Sequence, residues 1–112
     1  PGVRNWMLGV SNIRGRLVPI LDLAGLLDVP SKANWKTRRV LVIGEGDQQN
    51  GLLVDAVLGM QQFPTHLMNS QINVETNYLP YVRGGFERDG ANWPIFSFSD
   101  LAQADEFLHV AV

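Results

Sequence analysis

The sequence predicts a mostly β fold built from small barrels, and three observations carry that expectation. Apolar runs of strand length recur along the 112 residues, each bounded by a glycine-containing turn. No stretch holds a long amphipathic helical pattern. A turn, strand and helix start also occur twice in the same order. Gly15 leads through Pro19-Ile20 to Asp22-Leu23-Ala24, and Gly90 leads through Pro94-Ile95 to Asp100-Leu101-Ala102, with three residues more between turn and helix. Two related half-structures and a chance likeness both fit this weak repeat.

The elements follow in order. Trp6-Met7-Leu8-Gly9-Val10 reads as a strand interrupted at Gly9. Asn12-Ile13-Arg14-Gly15 is a turn, because Asn and Gly tolerate positive φ. Residues 16–21 form the return strand, and Pro19, with no N–H for a ladder, belongs at an edge or bulge. Asp22 is placed to cap a short helix over 23–27 that Pro30 ends, and residues 31–37 read as an exposed loop. The β-branched run 39–43 is a strand. Residues 45–51 form a hairpin turn closed by Asn50-Gly51, and a strand returns over 52–58 and continues past a bend at Gly59 to Phe63. Residues 64–78 read as a long loop, 81–87 and 93–98 as strands around Arg88-Asp89-Gly90. Ser99 is expected to cap a helix over 100–107, and residues 108–112 to close as an edge strand.

Composition bounds the function. A chain of this length favours one domain, residues 1–112, or two very small subdomains. Without cysteine there are no disulfides, thiolate metal sites or Cys nucleophiles, which suits a reducing compartment. No apolar run approaches the ~18 residues of a membrane span, and no secretory signal is visible. A first residue Pro1 rather than Met points to a start inside a longer chain or to processing. The net charge of −2 argues against broad nucleic-acid binding. The charge is uneven: residues 1–42 hold seven Lys/Arg and two acids, residues 43–112 two Arg and nine acids. Folding either intermixes these charges or leaves a polarised surface that orients docking.

Catalytic constellations are missing. His66 and His109 are far apart, with no further ligand at helical or hairpin spacing for a zinc site. No nucleophile elbow, phosphate loop or dinucleotide fingerprint occurs. Asp22 and Asp55 form a nominal carboxylate pair, but capping explains the first and an arginine neighbour the second. No enzyme, metal or cofactor is expected. Two side chains stand out as contact candidates. Arg14 sits in a tight turn that fixes its direction, and it suits either a partner's carboxylates and carbonyls or carbonyls of its own fold. Trp35, among Lys32, Lys36 and Arg38, is either a partner anchor or a ring packed back onto its own barrel. Trp6 and Trp93 read as core.

The segment Gly9-Val10-x-Asn12-Ile13-Arg14-Gly15-x-Leu17-Val18-Pro19-Ile20-x-Asp22-Leu23, preceded by Pro1-Gly2-Val3 and Trp6, resembles the signature of CheW-like coupling proteins. Arg39-Val40-Leu41-Val42-Ile43, then Gly51-Leu52-Leu53-Val54-Asp55-x-Val57, then residues 85–101, continue the likeness. Gly59-Met60-Gln61-Gln62-Phe63-Pro64 and the ending Phe107-Leu108-x-Val110-Ala111-Val112 resemble the PilI branch of type IV pilus chemosensory systems. The resemblance implies two SH3-like five-stranded β-barrel subdomains with short helices. It implies a cytoplasmic, non-catalytic scaffold that couples a CheA-type histidine kinase to the cytoplasmic tip of methyl-accepting chemoreceptors at membrane arrays. The output would be chemotaxis or twitching motility, with no direct membrane insertion.

It further implies receptor contact through Asn12, Arg14 and Gly15 and through Arg39 and Val40. The residues themselves, apart from the resemblance, make Trp35 a candidate anchor and put Gly9, Asp22, Gly51 and Ser99 in turn or cap roles. The family's fold carries strands before the Pro1 equivalent, where much of its kinase-binding surface lies. An incomplete barrel is therefore expected to expose strand edges and to dimerise or swap strands. The alternatives are a CheW-like module of a larger protein, such as a kinase regulatory domain or a receiver fusion, and a small barrel binding single-stranded nucleic acid through Trp35.

Overall fold

The computed structural model describes residues 6–29, 31 and 33–103. Pro1-Gly2-Val3, Pro30, Lys32, the helix expected beyond 103, His109 and the strand expected over 108–112 lie outside them. The chain divides into two compact units, 1–58 and 59–112. The mostly β class read from the sequence is confirmed. The described residues hold a four-stranded sheet, a two-stranded sheet and two short helices.

In the first unit, β1 (Met7–Ile13), β2 (Arg16–Asp22), β3 (Arg39–Ile43) and β4 (Asn50–Val54) lie in the order β1-β2-β4-β3. The β1–β2 and β3–β4 pairs are antiparallel, and β2–β4 is parallel. Directly paired residues share a face of the sheet. One row therefore runs through Met7, Leu21, Leu52 and Leu41 across all four strands. Leu21 and Leu52, at its centre, are fully buried. Each buried leucine contributes roughly 1.5–3 kcal/mol. The next row, on the other face, holds Ile20, Gly51 and Val42, and Val18 and Leu53 are buried on that face. Helix α1 (Leu23–Leu26) follows β2, with Trp6 beneath it and the Asp22 N–H bonded to the Trp6 carbonyl.

Several sequence expectations change here. Gly51 lies inside β4 rather than in the turn, which occupies residues 44–49. Its reason is space: a Cβ there would meet Ile20 Cδ1 at 2.6 Å and Val40 Cγ1 at 2.8 Å. Gly9 is no turn residue; it sits where β1 carries one extra residue against β2, between the Met7–Leu21 and Gly9–Ile20 pairs. Asp22 occupies the cap position of α1, but its side chain makes no cap hydrogen bond. Pro19 lies just before parallel pairing to β4 begins at Ile20, so β2 has a neighbour on one side only at that point. The return strand stops at Val54: the Asp55 carbonyl lies 2.9 Å from Thr37 Oγ1 instead of continuing the ladder, and its carboxylate accepts from Ser31 Oγ.

In the second unit, β5 (Val82–Arg88) and β6 (Ala91–Phe96) form an antiparallel hairpin across Asp89-Gly90, followed by helix α2 (Phe98–Ala102). Residues 59–63 form no strand; the Phe63 ring instead stacks on Phe86 at 4.7 Å, with Arg88 over it at 4.0 Å. The long loop is broken by 3₁₀ turns at Thr65–Leu67 and Thr76–Tyr81. Asn69 pairs with Gly85 through two backbone hydrogen bonds, 2.8 and 2.9 Å. Phe86 and Leu101 are buried.

The α2 cap is Ser97, not Ser99: Ser97 Oγ accepts the Asp100 N–H at 3.2 Å, while Ser99 lies within the helix. Ser97→Ala is expected to lower stability by about 1 kcal/mol, and Ser99→Ala by less than ~0.5, in urea denaturation. Arg83 grips Asp100 through Nε at 3.0 Å and Nη2 at 2.7 Å. That hydrogen-bonded guanidinium holds the Asp100 carboxyl below its ordinary range. A depressed carboxylate stabilises the fold above its unfolded pKa, ~4, and ceases to as pH falls through the folded value. Asp100→Asn is therefore expected to be less stable than wild type near neutrality, the gap closing below about pH 4.

Candidate docking site

The β1–β2 hairpin ends in a two-residue turn, Arg14-Gly15, with φ of 54° and 83°. Left-handed backbone at both central residues is what a type I′ turn needs, and its twist matches the flanking strands. The residue usually found at the first position is Asn, Asp or Gly; here it is Arg, at a cost of roughly 1–2 kcal/mol. Asn12 is not itself in the left-handed region. It closes the turn from β1, its Oδ1 accepting the Gly15 N–H at 2.9 Å. Arg16 pairs with Asp47 and ties the hairpin to the 44–49 loop. The Arg14 side chain is exposed and, among the described residues, bonds to no carbonyl or carboxylate.

Arg14 lies beside a cavity of about 420 Å³ also lined by Ile13, Arg16, Val42 and Gln49. Two aliphatic side chains and two guanidinium groups thus meet at one end of the sheet. With Arg16 already paired to Asp47, that lining suits an apolar side chain beside a carboxylate or carbonyl that Arg14 can meet. Sequence reasoning did not single out Arg16, Val42, Asp47 or Gln49. Only the parallel β2–β4 pairing brings the 44–49 loop beside the hairpin tip.

The strand directions separate the other candidates from this tip. β4 runs parallel to β2 and β3 runs against it, so the end of β3 lies toward Arg14 and its start lies at the opposite end. Arg39 begins β3, roughly 13 Å along the strand from Ile43. Its guanidinium donates to the carbonyls of Lys36 and Arg38, at 3.0 and 2.8 Å. Val40 packs over Gly51 midway. Asn12, Arg14 and Gly15 therefore come together; Arg39 belongs to the pole that carries Trp35. There Trp35 is 69% exposed, with the Arg38 guanidinium 4.5 Å from its ring centroid. Trp6 is buried, as expected; Trp93, also read as core, is only half-buried, on the β5–β6 hairpin.

Among the described residues no group of three or more His, Cys, Asp or Glu is placed to hold a metal ion. The comparisons with known proteins decide the family. The CheW-like domain family matches residues 1–106. The chain belongs to the CheW family. This CheW-like chain is 45% identical over its whole length to Protein PilI of Pseudomonas aeruginosa, of which it spans 63%. That identity bears out the PilI resemblance read in the sequence. It is also 31% identical to the chemotaxis protein CheW of Thermotoga maritima over 90 residues, covering 80% of the chain and 58% of that protein. The scaffolding protein TtCheW of Thermoanaerobacter tengcongensis shares the fold, with a TM-score of 0.75 at 23% identity, covering 94% of this chain and 72% of that one. The chain thus spans less than two thirds of the Pseudomonas PilI and of the Thermotoga CheW.

Proposed function

We propose that this CheW-like domain is a non-catalytic adaptor that couples a CheA-type histidine kinase to the cytoplasmic tip of methyl-accepting chemoreceptors. The setting is a PilI-like, type IV pilus signalling pathway. The observation that carries the reading is the Arg14 turn. An arginine is held in a left-handed conformation at a hairpin tip, exposed beside a cavity of mixed polar and aliphatic lining, where Asn or Gly would be less strained. Such a residue is explained by what it presents to a partner. Family membership and the likeness to PilI support the pathway. The site acts in the cytoplasm, at membrane-associated receptor arrays; among the described residues no helix is long and apolar enough to cross a membrane.

The chain, a receptor-tip fragment and a kinase regulatory domain, mixed pairwise and together, form the test. The adaptor reading expects each pair to associate and all three to co-elute. A chain that binds neither partner refutes it. β1 and β3 are the outer strands of the four-stranded sheet. Their edges fit the further proposal that a second copy pairs there, which a monomeric mass by light scattering at high concentration would exclude.

A further inference from the structure

The loop that carries Trp35 is more ordered than an exposed loop needs to be. Asn34 Oδ1 accepts the Lys36 N–H at 2.9 Å, the Asn34 carbonyl accepts the Thr37 N–H at 3.0 Å, and the Thr37 hydroxyl lies 2.9 Å from that carbonyl. The same hydroxyl lies 2.9 Å from the Asp55 carbonyl, which fastens the loop to the end of β4. Arg38 is half-buried, donates to Ser31 Oγ at 3.1 Å, and supports one face of the indole. Its Nε is buried without a hydrogen-bond partner among the described residues. The ring is thus held open to solvent on an already fixed backbone. That arrangement removes much of the ordering cost a partner would otherwise meet.

The surroundings of the ring are cationic. Lys36, Arg38 and Arg39 lie in a stretch, residues 29–44, without any acid. Among the described residues, neither Lys36 nor Arg39 pairs with a carboxylate. The Asp55 carboxylate at the end of β4 accepts from Ser31 Oγ and keeps its negative charge, against three cations on the loop. The loop stands at the opposite end of the sheet from Arg14, so occupancy of one pole leaves the other free.

We infer that the Trp35 loop is a second docking pole, whose occupant is an acidic protein surface with an apolar recess for the indole. This rests on the adaptor reading and assigns that surface to the kinase regulatory domain. Charge complementarity supplies steering and register, and the buried ring supplies most of the affinity. A nucleic-acid strand is the less favoured occupant, because residues 43–112 carry nine acids against two arginines.

The test titrates wild type, Trp35→Ala, Trp35→Phe and the Lys36→Glu/Arg39→Glu pair separately against the kinase regulatory domain, the receptor tip and a thymidine oligonucleotide. Trp35→Ala is expected to weaken kinase-domain binding about tenfold or more while receptor-tip affinity stays within about twofold. The charge reversal should weaken kinase binding and flatten its salt dependence. Trp35→Phe keeps a ring and should retain most of the affinity, which separates lost contact from lost fold. Wild-type kinase binding by Trp35→Ala overturns the inference and leaves the adaptor reading intact. Oligonucleotide binding that Trp35→Ala abolishes also overturns it. A wild-type chain that binds neither protein overturns both.

Discussion

Replacing Arg14 by glutamate is expected to weaken receptor-tip binding about thirtyfold or more, with no change in thermal stability beyond ~0.5 kcal/mol. The binding loss follows from removing a guanidinium and placing a carboxylate where the partner presents acceptors; an interface hot spot of this type is worth ~2 kcal/mol or more. Stability is spared because the side chain is exposed and bonds to nothing in its own fold among the described residues. Glu at φ 54° suffers the same strain as Arg. Arg14→Asn separates the two effects. Asn suits the left-handed first position of a type I′ turn, so it should raise stability by about 1 kcal/mol while still losing receptor affinity. Calorimetric titration and urea denaturation of the two variants measure both quantities. A Glu variant that binds the receptor tip like wild type removes Arg14 from the docking site. An Asn variant less stable than wild type removes the strain argument.

Gly85→Ala is expected to cost about 3 kcal/mol or more, a large effect for a single methyl group. Gly85 is wedged between β6 and the Asn69 segment. A Cβ would lie 2.5 Å from the Trp93 carbonyl oxygen, 2.6 Å from Ile72 Cδ1 and 2.9 Å from the Pro94 Cα. Two of these neighbours are backbone, which moves only by opening the β5–β6 ladder. Gly90 is the control: its φ is +77° and nothing lies within 4 Å of a Cβ there. Gly90→Ala therefore meets conformational strain alone and should cost about 1 kcal/mol. Equal losses at the two sites would show that the close approach at Gly85 relaxes. Marginal domains hold only ~5–15 kcal/mol, so the Gly85 variant should melt well below wild type.

Much of the fold was legible in the sequence because it is written in local periodicity and turn chemistry. The hairpin around Asp89-Gly90 and the strand at Arg39–Ile43 lie within one or two residues of where the pattern put them, and the turn at Arg14-Gly15 is in place, although β1 runs three residues past its expected end, to Ile13. The misreadings share one cause: a residue's role was decided by a distant neighbour. Asn50-Gly51 reads as a turn locally, yet Gly51 is in a strand because Ile20 and Val40 close over it. Phe63 alternates like a strand residue, but its partners are Phe86 and Trp93. Ser99 precedes an acid just as a cap does, but the chain enters the helix two residues earlier, at Ser97.

The sequence by itself determined the β class, the family and the turn that presents Arg14. Each rests on residues adjacent along the chain, and adjacency constrains backbone conformation directly. Tertiary structure alone decided how the docking candidates are distributed. Arg39 looked like a companion of Arg14, but strand direction puts it at the other end of the sheet with Trp35. Whether a strand runs parallel or antiparallel to its neighbour is fixed by packing over many residues, here the row from Met7 through Leu21 and Leu52 to Leu41. No local motif encodes it. The same packing brings Asp47, Val42 and Gln49 to the Arg14 tip and leaves Trp35 exposed on a loop pinned to β4.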